Sequence, residues 1–134
     1  MNELIDTIVS AIQDKKGKRI LSLDLSGFDG AICSAFVVCS ADSTTQVEAI
    51  AGGVEQKVLE KLGEKVWRVE GLGNSVWVVM DYGDVMVHVF QTETRDFYKL
   101  EQLWADAPVR EYAEEQESSY YGPVPLRYEV WMSN

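Results

Sequence analysis

The sequence predicts an α/β domain, with a mixed sheet of about five strands and helices packed on it. Three observations carry that expectation. Apolar residues recur at helical spacing near the start, in the middle and after Phe90; short valine-, leucine- and isoleucine-rich runs between them read as strands; glycine- and serine-rich turns separate the two. With 134 residues, 46% hydrophobic and 25% charged, the chain has the size and balance of one domain that buries most of its apolar surface.

Each element has its own signal. Leu4, Ile5, Ile8, Val9 and Ile12 recur every three or four residues as one face of a helix, and Gly17 is placed to end it. "RILSLDL" follows as a strand with Ile20, Leu21, Leu23 and Leu25 apolar, and "SGFDG" is the turn after it. "AFVVCS" is nearly continuous in apolar residues, the pattern of a strand covered on both faces. Asp42 or Ser43 caps the next helix, and Ser43 with Gln46 has the capping-box spacing. Val47, Ile50, Ala51, Val54, Val58 and Leu62 share one side of that helix. Gly52 and Gly53 in its middle cost about 2 kcal/mol of helix propensity, which implies tight packing there. "KVWRVEG" is a third strand, and "LGNS" turns the chain into a hairpin. After Phe90, "QTETRDFYKLEQLW" is again helical, capped by Thr92 or Thr94, with Phe97, Leu100, Leu103 and Trp104 as its apolar stripe.

Charge and composition narrow the function. A net charge of -10 repels phosphate backbones, so direct sequence-specific nucleic-acid binding is not expected and a basic protein surface suits the chain better. The first residues are amphipathic with acidic positions, unlike a secretory leader, and no apolar stretch approaches the roughly 20 residues needed to span a bilayer. No membrane partner and a cytosolic location are therefore expected. Cys33 and Cys39 in "CSAFVVC" would lie about 20 Å apart on an extended strand, far beyond disulfide reach, and read as apolar fillers. One histidine and two separated cysteines make no zinc-type spacing, so neither a metal nor a cofactor is expected.

The hairpin "VWVVMDYGDVMVHVF" is the most informative stretch. With Tyr82 and Gly83 as its turn, Asp81 faces Asp84, Val79 faces Met86 and Trp77 faces His88. Alternation then collects Val76, Val78, Met80, Val85, Val87 and Val89 on one wholly aliphatic face, which must be core. Trp77, Val79, Asp81, Asp84, Met86 and His88 are left on the other face, with Tyr82 at its rim. This mixture of an aromatic, a methionine and carboxylates has the composition of a protein-binding patch.

Enzymatic readings fare less well. Asp81 and Asp84 are candidate ligands for a divalent metal in nucleotidyl transfer, which makes a nucleotide-binding protein the alternative function. Such a pair usually occupies alternate positions on one strand, and here a turn separates the two. "EGLGNS" lacks the lysine and following helix of a phosphate-cradling loop. No Gly-x-Ser-x-Gly elbow is present, and His88 has no evident nucleophile beside it. The expectation is a non-enzyme.

"FVVCSADSTTQVEAIA", then "SVWVVMD", "DYGDVMVHVF" and "TRDFYKLEQLW" in that order resemble the ribosomal silencing factor family, also called Iojap-like proteins. The resemblance runs from about Leu4 to Trp104. It implies a fold similar to nucleotidyltransferases but without their catalytic residues. It further implies a bacterial cytoplasmic translation regulator that docks on ribosomal protein fourteen of the large ribosomal subunit and sterically blocks joining of the small subunit. Carried onto this sequence, the contact residues are Trp77, Asp81, Tyr82, Asp84, Met86 and His88, with Trp77 and Tyr82 as anchors and the aspartates as partners for arginine or lysine. The plain readings are that Trp77 is covered by the tail and that the aspartates keep a hairpin edge from aggregating. At Cys33, Ser34 and Ala35 the chain departs from the family, which usually has a threonine, an aspartate and an aromatic there. Residues 1–104 thus form the expected domain and 105–134 an extension, in which "REYAEEQE" is acidic and helix-compatible and "LRYEVWM" alternates like a strand. That extension is expected to pack on the domain or on a second copy in a homodimer.

Overall fold

The computed structural model describes residues 2–115. Helix α1 (Asn2–Asp14) is followed by β1 (Lys18–Asp24), β2 (Ala35–Ala41), α2 (Thr44–Leu62), β3 (Arg68–Glu70), β4 (Trp77–Asp81), β5 (Val85–Gln91), the short helices α3 (Thr92–Tyr98) and α4 (Leu100–Leu103), and β6 (Val109–Glu111). The strands form one mixed sheet in the order β3-β4-β5-β2-β1-β6. Only β2 and β5 run parallel, joined by the crossover through α2. The sheet has six strands where the sequence suggested five, because β6 pairs antiparallel with β1.

The aliphatic layer forms as the periodicities require. From α1, Leu4, Ile8, Val9 and Ile12 meet Val47, Ile50, Ala51, Val54 and Val58 of α2 over Val37, Cys39, Val78, Met80, Val85, Val87 and Val89 of the sheet. Ser43 is the N-cap of α2, its hydroxyl accepting from the Gln46 backbone N–H at 3.1 Å. The Gln46 side chain does not return the bond and donates instead to the carbonyls of Lys15 and Lys16, tying the end of α1 to the start of α2. Asp42 is left free to bridge Lys18 and the Thr92 hydroxyl. The glycine pair is tight on one side only: a Cβ at Gly53 would come within 2.9 Å of the Lys15 side chain, whereas one at Gly52 would meet open space.

β2 is buried along its whole length, as its unbroken apolar run predicted. In β1 an irregularity between Lys18 and Leu21 inserts a residue against β2, with Arg19 at φ 52°. Beyond it the strand alternates, with Ile20 in the aliphatic layer and Leu21, Leu23 and Leu25 on the opposite face. Both cysteines are free thiols: Cys39 lies in the aliphatic layer, its pKa pushed up to about 12 by burial, and Cys33 sits half-buried just before β2.

Two expectations about elements fail. "REYAEEQE" is not helical as far as Glu115: Val109–Glu111 is strand, and Tyr112 continues along β1, its N–H bonding the Ile20 carbonyl and its hydroxyl meeting Ser22 at 3.1 Å. The sequence pattern there is weak, and an open sheet edge decides it. The strand-like "LRYEVWM" lies outside the described residues. The helix after Phe90 is also not continuous. Lys99 at φ 53° ends α3, and a separate short α4 follows. Neither Thr92 nor Thr94 caps it: the N-cap position is Gln91, without a side-chain cap bond, and Thr94 donates to the Gln91 side chain.

Candidate docking face

The hairpin pairs Trp77 with Phe90, Val79 with His88 and Asp81 with Met86, two residues away from the predicted register. The turn is Gly83–Asp84, closed by the Tyr82 N–H on the Val85 carbonyl at 2.9 Å, with Gly83 at φ 87°. Glycine in the first central position relieves the strain that tyrosine would meet there, which is why the turn moves. A slip of two leaves each residue on its predicted face and changes only its partners. Asp81 therefore does not face Asp84. Its Oδ1 accepts from the Gly83 N–H at 2.8 Å and holds the turn, while Asp84 projects from the tip. Asp81 is thus engaged in the turn and Asp84 is not set opposite it, and among the described residues no three His, Cys, Asp or Glu side chains cluster in a metal-holding arrangement.

Two further expectations need correction. Tyr82 does not stand at the rim of the mixed face. It is buried in the aliphatic layer, and burial, followed by the nearby carboxylates of Glu55 and Glu64, pushes its pKa up to about 12. Tyr82 takes the parity of Met80, so only a different register would have brought it out. His88 is not a surface residue either, being only 6% exposed. Its Nδ1 accepts from the Trp77 indole N–H at 3.1 Å, which leaves the imidazole proton on Nε2, buried and without a partner. Burial lowers its pKa to about 4, so the ring is neutral at physiological pH.

What this face builds is a run of touching rings. Trp77 stacks on Phe90 with centroids 4.8 Å apart and leans on Tyr98 at 5.1 Å, and Tyr98 meets Phe97 edge-on at 5.0 Å. In the other direction Trp77 leads through His88 to Phe36, then Trp104 and Phe28, the last three in edge-to-face contact at 6.0 and 5.4 Å. The middle of the run is covered and its α3 end is open: Phe97 is 78% exposed and Tyr98 54%, with Leu103 of α4 at 75%. Trp77 and Met86 are half-buried on the same face of the sheet.

Phe97 and Leu103, expected on one apolar stripe with Leu100 and Trp104, instead stand largely exposed. The reason is Arg95, a buried cation that the sequence does not announce. Arg95 is 2% exposed, and its Nε and Nη2 donate to one carboxylate oxygen of Glu101 at 3.1 and 3.0 Å. Its Nη1 donates to the Arg19 carbonyl at 2.7 Å and the Ser40 hydroxyl at 3.2 Å. A spacing of six places two residues about 120° apart on a continuous helix, so no helical reading pairs Arg95 with Glu101. The break at Lys99 permits it. Leu100 then turns inward while Phe97 and Leu103 point out.

Comparison with known proteins places this geometry. The family described as ribosomal silencing factor during starvation matches residues 1–123. The chain belongs to the ribosomal silencing factor family. A ribosomal silencing factor of Halalkalibacterium halodurans is 40% identical over 109 residues, covering 81% of this chain and 92% of that protein. Among solved structures, a protein from Chromobacterium violaceum superposes with a TM-score of 0.73 at 36% identity, covering 78% of this chain and 85% of that one. One from Bacillus halodurans gives 0.71 at 37% identity, covering 84% and 100%. The likeness to ribosomal silencing factors therefore spans the sheet and helices that build the ring-bearing face.

Proposed function

We propose that this protein represses translation by docking on the large ribosomal subunit, through its ribosomal protein fourteen, so that the small subunit cannot join. The observation that carries the reading is the open end of the ring run, where Phe97, Tyr98 and Leu103 stand exposed and Tyr98 leans on Trp77. Exposed aromatic clusters of this kind are the anchors of protein interfaces, and each desolvated anchor is commonly worth 2 kcal/mol or more, on the order of 30-fold in affinity. The charge supports a protein partner over RNA. At -10 the chain is repelled by ribosomal RNA and attracted to a basic ribosomal protein, so Asp81 and Asp84 at the hairpin end serve as rim partners for lysine or arginine.

Of the contacts expected from the sequence, Asp84 is exposed and Trp77, Asp81 and Met86 are partly exposed, which supports keeping these four as direct contacts. Tyr82 and His88 act from behind. His88 holds the Trp77 indole in its plane through the 3.1 Å bond, and Tyr82 anchors the hairpin to the aliphatic layer. Such a regulator blocks a site by bulk and catalyses nothing.

Co-sedimentation of the purified protein with isolated large subunits tests the reading. Wild type should pellet with the subunits and inhibit their joining to small subunits, and Phe97→Ala with Tyr98→Ala should abolish both without changing the melting temperature. Wild type that stays in the supernatant would sink the proposal.

A further inference from the structure

Arg95 is almost fully buried and its partner Glu101 half-buried, and their position bears on how the docking face is made. The guanidinium ties four chain segments: α3 through its own backbone, α4 through the Glu101 carboxylate, β1 through the Arg19 carbonyl and β2 through the Ser40 hydroxyl. The carbonyl it reaches belongs to the bulge residue of β1, where φ of 52° departs from regular strand geometry. A second residue in left-handed geometry, Lys99, lies between the two partners at φ 53°. Neither position is glycine, so each conformation needs support from its surroundings: the guanidinium bonds the Arg19 carbonyl directly, and Lys99 is held by its N–H on the Arg95 carbonyl and by the ion pair that joins the segments on either side of it. On the outside, Arg19 pairs with Asp96 at 2.8 Å, beside Phe97.

We propose that Arg95 and Glu101 are positioning residues: their ion pair holds the break between α3 and α4 and so sets where Phe97, Tyr98 and Leu103 present themselves to a partner. The proposal rests on the docking reading above for its functional consequence. A largely buried pair with one carboxylate oxygen left unbonded, Oε1 of Glu101, is a poor device for stability alone, since a well-packed apolar pair serves as well or better. What an apolar pair lacks is direction. Only the planar fork fixes the corner simultaneously against a carboxylate, a carbonyl and a hydroxyl.

The test uses the double variant Arg95→Met/Glu101→Met in the full chain. It removes both charges together, so the fold is retained, while the directional contacts are lost. Three properties are measured beside wild type: thermal melting, amide hydrogen exchange over residues 92–104, and co-sedimentation with isolated large subunits. The expected result is an unchanged melt, exchange at Asp96–Leu103 faster by about tenfold, and large-subunit affinity lower by about tenfold or more. Wild-type affinity or wild-type exchange in a folded double variant would overturn the proposal. If the double variant fails to fold, Arg95→Lys decides the matter. It keeps the charge but cannot span carboxylate and carbonyl together, so wild-type affinity and exchange in that variant would equally refute the latch. Should wild type itself not bind large subunits, the docking reading falls, and the latch stands or falls on the exchange measurement.

Discussion

The two faces of this sheet are made from alternate residues of the same strands, and they end in different states. Toward α1 and α2 the residues are aliphatic, and two long helices close over them, leaving Val78, Met80, Val85, Val87 and Val89 without exposure. Toward α3 and α4 the residues are Trp77, Met86, His88 and Phe90, and two short helices cover only part of them. The first face is a core that selects for volume; the second is a core that runs out into a surface. A shared strand thus couples stability on one side to recognition on the other, and substitutions should separate the two.

The largest effect belongs to the closed face. Ile50→Ala should cost about 2–5 kcal/mol of stability in urea unfolding, because the cavity cannot collapse between two helices and a sheet, while the folded fraction keeps its large-subunit affinity. Next comes the buried histidine of the open face. His88 titrates near 6.5 when unfolded and at about 4 when folded, so the unfolded chain binds the extra proton between those values. Its contribution is therefore fully present above about pH 6.5 and is lost as pH falls toward 4, amounting to up to about 3 kcal/mol. In His88→Phe the difference in stability between pH 7 and pH 4.5 should shrink by that order; an unaltered pH profile would show that the ring is not held neutral. Phe97→Ala should do the opposite of Ile50→Ala, weakening docking by about tenfold or more and changing stability by less than about 0.5 kcal/mol.

Smaller effects sharpen the closed face. Ser43→Ala should remove about 1 kcal/mol through the lost cap of α2. Gly52→Ala should stabilise by about 0.5–1 kcal/mol, since the added methyl meets nothing and helix propensity improves. Gly53→Ala should gain less, because its methyl displaces the Lys15 side chain.

Much of the closed face was legible because burial there follows period. Ile8, Ile12, Val47, Val54 and Val58 recur at helical spacing, and the hairpin valines alternate, so each set can only face one way. The open face was legible in composition and not in detail. Parity puts Trp77, Met86 and His88 on it, while the register differs by two because Gly83, not Tyr82, takes the first central position of the turn. His88 was read as exposed because no local signal tells that Phe36 and Trp77 enclose it.

The sequence by itself determined the order of elements, the aliphatic layer, the cap at Ser43, the acidic balance and the family resemblance, since each depends on neighbours within a turn or two of chain. Only the tertiary structure decided that Tyr82 and His88 are buried, that β6 extends the sheet, and that Phe97, Tyr98 and Leu103 form the open end of the face. Those outcomes hang on contacts between distant segments: Arg95 reaches the Arg19 carbonyl across 76 positions of chain, and Tyr112 reaches Ser22 across 90. A propensity or a period carries no information about such distances. A buried guanidinium with three partners does, because it remains stable only where the fold brings them together.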